Sequence, residues 1–177
     1  MNDRLVVEGV LELRIDDKEW QQINNLAAMV TKAFNAALAV GGLVPETNGK
    51  TVGATIVLAD NASVEQLNSH WRSKPKPTNV LSFPAPDGEQ DENGNRYFGD
   101  MIIAFGVVEQ EALQQGKALE THLCHLIIHG ALHLLGFDHV ENDEAEKMES
   151  LERMAMQALD LPDPYLPVTA EQENTVK

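Results

Sequence analysis

What is scarce in this chain of 177 residues narrows its reading before any motif is sought. A single cysteine, Cys124, cannot form an intrachain disulfide, so a reducing, cytoplasmic setting is expected. No apolar run approaches the roughly 20 residues that a membrane-spanning helix needs. The opening residues, Met1-Asn2-Asp3-Arg4-Leu5-Val6-Val7-Glu8, lack the basic and apolar regions of a signal peptide, and no membrane partner is expected. Basic residues are few, 13 Lys and Arg against 28 Asp and Glu, for a formal net charge of −15. So acidic a body repels a polyanion unless its cations are gathered in one place. They are gathered: residues 66–82 contain no acid, while Arg72, Lys74 and Lys76 give +3. The acidity concentrates at the other end, where residues 137–177 hold 11 acids and 3 bases, a net of −8.

The length fits one domain around one core, and there is no internal repeat. A single domain is expected over 1–161, followed by a flexible proline-containing tail over 162–177. Residues 5–15 alternate and read as a strand. Asp16 with Glu19 three later looks like a capping box. Trp20, Ile23, Ala27, Val30, Phe34 and Ala37 then follow helical spacing up to Gly41-Gly42. Further strands are expected over 51–59, 79–83 and 101–105. Further helices are expected from Asp60 or Asn61 to about Trp71, over 107–115, over about 119–135, and over about 143–159. Lys74-Pro75-Lys76-Pro77 must be an extended loop. Residues 87–97, rich in Asp, Gly and Asn, form a loop or hairpin turn. The fold class is α+β: a single mixed sheet of about four strands packed with helices. The metal site lies on a long helix and the turn after it, in a zincin-like arrangement.

That site is written in His129-Gly130-Ala131-Leu132-His133-Leu134-Leu135-Gly136-Phe137-Asp138-His139. Helix positions i and i+4 share a face about 5–6 Å apart, so His129 and His133 can point at one ion. Gly136 allows a left-handed exit from the helix. That turn can return His139 as a third ligand. Three imidazoles leave one tetrahedral position of Zn²⁺ open, as in catalytic rather than structural sites. One Zn²⁺ per chain is therefore expected, though Ni²⁺, Cu²⁺ or Co²⁺ would also fit. Metzincin proteases share the spacing H-E-x-x-H-x-x-G-x-x-H, but here Gly130 stands where their general-base glutamate would be.

Neighbouring residues admit two readings each. His122 and His125 continue the stripe, yet one ion will not easily take ligands from three consecutive turns rising about 5.4 Å each. His125 either lines the cleft, touching substrate or a group that supports the ligands, or is an ordinary satisfied histidine. Asp138 either orients an imidazole or caps the following helix. Arg72 either offers its planar fork to phosphate oxygens or meets a helix C-terminal dipole. Cys124 falls on the apolar side of the helix and reads as a small core residue.

The motif resembles the signature of the YbeY family of bacterial rRNA-maturation endoribonucleases. Leu67-Asn68, Trp71-Arg72, the run Lys76-Pro77-Thr78-Asn79-Val80-Leu81-Ser82-Phe83-Pro84, and Gly99-Asp100-Met101-Ile102-Ile103 resemble the family's other marked segments. The resemblance implies a single-strand-specific, metal-dependent endoribonuclease acting in small-subunit ribosomal RNA maturation and ribosome quality control. Its implied partners are RNA, the small ribosomal subunit and associated proteins. It implies metal ligation by His129, His133 and His139 and a catalytic role for these and Arg72. One departure is Asn79, where many members carry Asp. Both water and the RNA 2′-hydroxyl stay open as nucleophile. Two other classes compete: a non-enzymatic ribosome-assembly factor with a structural metal, and a metallopeptidase, which Gly130 argues against.

Overall fold

The computed structural model describes residues 3–7, 11–43, 52–87, 89–90 and 94–167. Its frame is a mixed five-stranded sheet: β1 (Asp3–Val7), β2 (Leu11–Ile15), β3 (Val52–Ala59), β4 (Val80–Pro84) and β5 (Arg96–Ala104). They lie in the order β1-β2-β3-β5-β4. The inner pairs β2–β3 and β3–β5 are parallel, and the outer pairs are antiparallel. The single strand expected over 5–15 is two strands paired with each other. An isolated glycine in an alternating run is a break signal, and Gly9 stands between them.

Alternation gives the inner strands β3 and β5 two apolar faces, and helices cover both. Leu11, Leu13, Ile56, Leu58, Met101 and Ile103 join a large core with α1 (Leu26–Val40), α4 (Leu119–Leu134) and α5 (Asn142–Ala158). Val57, Leu81, Phe83 and Ile102 face the other way, against α2 (Asn61–Arg72). A fifth helix, α3 (Phe105–Gln115), leads from β5 towards α4.

The first helix starts later than its apolar spacing suggests. Asp17, not Asp16, caps a short 3-10 turn, Lys18–Gln22, by accepting the Glu19 N–H at 3.1 Å. Asn25 then turns left-handed (φ 53°) before α1 begins. Trp20 explains the break: it is fully buried and donates its indole N–H to the Ala59 carbonyl at 3.0 Å, so its turn follows the sheet.

The stretch expected as a mobile tail begins with an anchored segment. Lys117 Nζ donates to the Pro164 carbonyl at 2.6 Å, Arg153 Nε pairs with Asp163 at 3.2 Å, and the Tyr165 ring packs near the Arg153 guanidinium at 4.8 Å. Residues 168–177 lie outside the described residues, as do 88 and 91–93 of the expected 87–97 loop.

Candidate metal centre

α4 is apolar on nearly every side, which makes it the central helix of the large core. Gly130 lets it lie close on β4 and β5. A Cβ there would collide with Met101 Sδ and stand 3.0 Å from Ser82 Oγ. Any side chain at this position would force the buried Met101 side chain to shift. Cys124 is buried, and burial pushes its thiol up to about 11, in keeping with a core residue.

The end of α4 builds the centre by local rules. Gly136 takes φ 91°. Its N–H meets the His133 carbonyl at 3.0 Å, and the Phe137 N–H meets the Leu132 carbonyl at 3.0 Å. These two bonds are a Schellman turn, which needs a residue free of a Cβ penalty at Gly136. The turn places the Phe137 carbonyl 2.9 Å from His133 Nδ1. Three residues past Gly136, His139 returns to the helix end. Its ring centre lies 5.0 Å from that of His133 and 5.6 Å from that of His129. One candidate ligand atom from each of the three imidazoles lies within 4.8 Å of the others.

The protonation of two rings follows from their partners. The Phe137 carbonyl can only accept, so His133 Nδ1 carries the hydrogen. His129 Nδ1 lies 2.7 Å from Glu152 Oε1. Glu152 is buried on α5, and burial alone would raise its pKa. Hydrogen bonds from His125, His129 and Tyr165 outweigh this and hold the carboxyl at about 2. An ionised carboxylate only accepts, so His129 also keeps its hydrogen on Nδ1. The two Nε2 atoms therefore face each other across 3.1 Å. Burial, then His129 and His139, lower the His133 pKa and favour its neutral form. Two ring nitrogens stay this close when a proton or a metal ion lies between them. Two nitrogens bound at about 2.0–2.1 Å to one tetrahedral Zn²⁺ stand about 3.3 Å apart. The donor set and spacing fit such an ion.

His125 does not join the three. Its Nε2 lies 2.7 Å from Glu152 Oε2, which also accepts the Tyr165 hydroxyl. Burial, then the bond to Glu152, raise the Tyr165 pKa and keep it a donor. Glu152 is thus braced from two sides while it orients His129. His122 is buried and pairs with Glu111 at 2.7 Å. Asn79 donates to both oxygens of the same Glu111, at 3.1 and 3.2 Å. An aspartate at 79 would set two carboxylates against each other there.

Among the described residues, Asp138 neither hydrogen-bonds an imidazole nor caps the helix that follows. It accepts its neighbour His139's backbone N–H at 2.7 Å. The cap of α5 is Glu141, whose N–H is met by the Glu144 carboxylate at 3.4 Å. Arg72 ends α2 and opens onto the same cleft as His129, His133 and His139, a space of about 540 Å³. Among the described residues no acidic side chain pairs with it.

Sequence reasoning missed Glu152 and Tyr165. A signal for Glu152 existed: it stands between Met148 and Ala155-Met156 in the buried stripe of α5. An acid in an apolar stripe needs a partner.

A family model described as Endoribonuclease YbeY matches residues 14–160. This chain belongs to the YbeY family. Three relatives named Endoribonuclease YbeY are similar over most of their length. The Agrobacterium fabrum protein is 42% identical over 88% of this chain and 94% of its own. The Rhodopseudomonas palustris protein is 43% identical over 82% and 86% respectively. The Zymomonas mobilis protein is 43% identical over 82% and 87%. The solution structure of TM1509 from Thermotoga maritima shares the fold, with a TM-score of 0.53 at 20% identity, covering 89% of this chain and 99% of that one.

Proposed function

We propose that this chain is a metal-dependent endoribonuclease that hydrolyses phosphodiester bonds in single-stranded RNA. His129, His133 and His139 would hold one Zn²⁺ or another divalent transition-metal ion such as Ni²⁺. The observation that carries the reading is the convergence of three imidazoles, with one ligand atom of each within 4.8 Å of the others, in a cleft that also holds Arg72. The relatives named as endoribonucleases supply the substrate class. When bound, the ion supplies Lewis acidity to a phosphoryl oxygen and eases loss of a proton from water. Glu152 and the Phe137 carbonyl fix two of the imidazoles, so little reorganisation is needed. The Arg72 fork takes the charge that develops on the phosphate oxygens. Peptide hydrolysis is not expected, because Gly130 offers no base.

Small-subunit ribosomal RNA maturation and ribosome quality control, in the cytoplasm, complete the proposal. The acidic residues after Phe137 suit basic ribosomal proteins as partners. The test pairs elemental analysis with cleavage of a short single-stranded RNA and its duplex. One ion per chain and cleavage of the single strand alone are expected. His133→Ala should lose both. Metal retained in His133→Ala would overturn the ligand set. Bound metal without any cleavage would instead favour an assembly factor with a structural metal.

A further inference from the structure

We propose that Trp71 is a nucleobase-stacking subsite, set one residue from the phosphate contact at Arg72. The inference rests on the RNA reading above and deepens it. The chain has two tryptophans with opposite fates. Trp20 is 0% exposed, with its N–H bonded to a backbone carbonyl, whereas Trp71 is 66% exposed. Tryptophan is highly buried on average, so an open indole at the end of a helix calls for a reason.

Its surroundings supply one. His70 and Phe83 contact the indole at 5.3 and 6.2 Å between ring centres, with interplanar angles of 83° and 61°. Neither ring lies parallel to it, so no aromatic partner already stacks on the indole. Phe83 sits on β4 between Ser82 and Pro84, which line the cleft of the three histidines. β4 is the edge strand of the sheet. Trp71 therefore stands on the α2 side of this edge strand, next in the chain to Arg72, which opens onto the cleft at its rim.

The rim is also positively charged and locally fixed. Ser73 ends α2 in a left-handed conformation (φ 53°). Asn68, itself buried, donates from Nδ2 to the Lys76 carbonyl at 2.8 Å, and its own carbonyl accepts the Lys74 N–H at 3.4 Å. The Lys74-Pro75-Lys76-Pro77 backbone is thus tied to α2, with both lysine side chains exposed. An RNA strand alternates phosphate and base. Arg72 and Trp71 offer one group for each, on the same helical turn. A cationic track with an aromatic platform is how single strands are held without regard to sequence. Stacking needs a free π face, which a base inside a duplex does not have. Trp71 would thus help select single strands.

The other role open to Trp71 is to cover Phe83. The variants Trp71→Leu and Trp71→Phe separate the two, since leucine keeps apolar cover without an aromatic face. The full chain is titrated with a short single-stranded 2′-O-methyl oligonucleotide, followed by tryptophan fluorescence and by anisotropy of a labelled strand. Trp20 provides a constant buried background. Wild-type fluorescence should be quenched on binding. Trp71→Leu should bind about tenfold more weakly, with Trp71→Phe between the two. Melting temperatures should stay near wild type. An oligomer of abasic nucleotides should bind wild type and Trp71→Leu alike. Equal binding of the ordinary oligonucleotide by both, or binding without quenching in wild type, would overturn the subsite and leave the RNA reading standing. No binding by wild type at all would overturn both.

Discussion

The two walls of the cleft are built in opposite ways. On the α4–α5 side, nearly every polar group is already engaged. His125, His129 and Tyr165 converge on one carboxylate that is 1% exposed, and His133 is tied to a carbonyl. On the α2 side, Arg72, Lys74 and Lys76 are exposed, and no acid among the described residues pairs with Arg72. The contrast follows from what each wall is proposed to hold. Imidazoles that must all turn a nitrogen toward one point need their rings fixed, so a cation site does best braced before the ion arrives. A guanidinium committed to a carboxylate would have to be released before it met phosphate, so an anion site does better unpaired. On a chain of net charge −15, the rim could hold an anion only because residues 66–82 contain no acid.

Arg72→Ala tests the contrast most severely. A helix-end cation contributes only about 0.3–1 kcal/mol to stability through the dipole. Losing a charge contact to the transition state costs about 2.7–4 kcal/mol, a hundred- to thousandfold in rate. The variant should therefore melt within a few degrees of wild type, keep its metal and lose most RNA cleavage. If cleavage is unchanged, the rim is not part of the site. If metal is lost as well, the two walls are not independent.

Glu152→Gln probes the braced wall. An amide can still touch His129, but it no longer forces the hydrogen onto Nδ1. Partners of this kind are worth about 10–100-fold in metal affinity. Competition against a chromophoric chelator should show a loss in that range, with Tyr165→Phe showing a smaller loss in the same direction. Wild-type affinity in Glu152→Gln would mean that the helix spacing alone sets the site.

That spacing was the legible part. His129, His133, Gly136 and His139 obey local geometry: a helical period, then one left-handed turn. Such rules need no knowledge of the rest of the fold. Glu152 and Tyr165 reach His125 and His129 from 23 to 40 positions further along the chain, and only packing brings them there. Asp138 misled for a related reason. Any acid just before a helix can cap it, and the choice fell to Glu141. The split of the first strand hid because side-chain alternation on either side of Gly9 reads the same for one strand as for two. Placement of Arg72 beside the histidines came from family resemblance, since nothing in residues 66–82 alone says which cleft the end of α2 faces.

The smallest effect is expected from Asp60→Ala, at the opposite end of α2 from Arg72. Asp60 accepts the Ser63 N–H at 2.8 Å and caps the helix. That backbone bond, the largest cause, lowers its pKa from 3.8. Removing such a cap costs about 0.5–2 kcal/mol. The sign of the pH dependence follows from the lowered value. The carboxylate's contribution is complete above 3.8 and fades as the pH falls through the lowered pKa. Denaturant melts should therefore separate wild type from Asp60→Ala at neutral pH and converge in acid. RNA binding should hardly change, because the rim is fixed from within α2: Val64 is fully buried beneath the helix and Asn68 ties down the lysine loop. A stability difference that grew on acidification would contradict the cap. A fall in cleavage comparable to that of Arg72→Ala would show that the rim depends on the start of α2, and the picture of a locally fixed anion wall would fail.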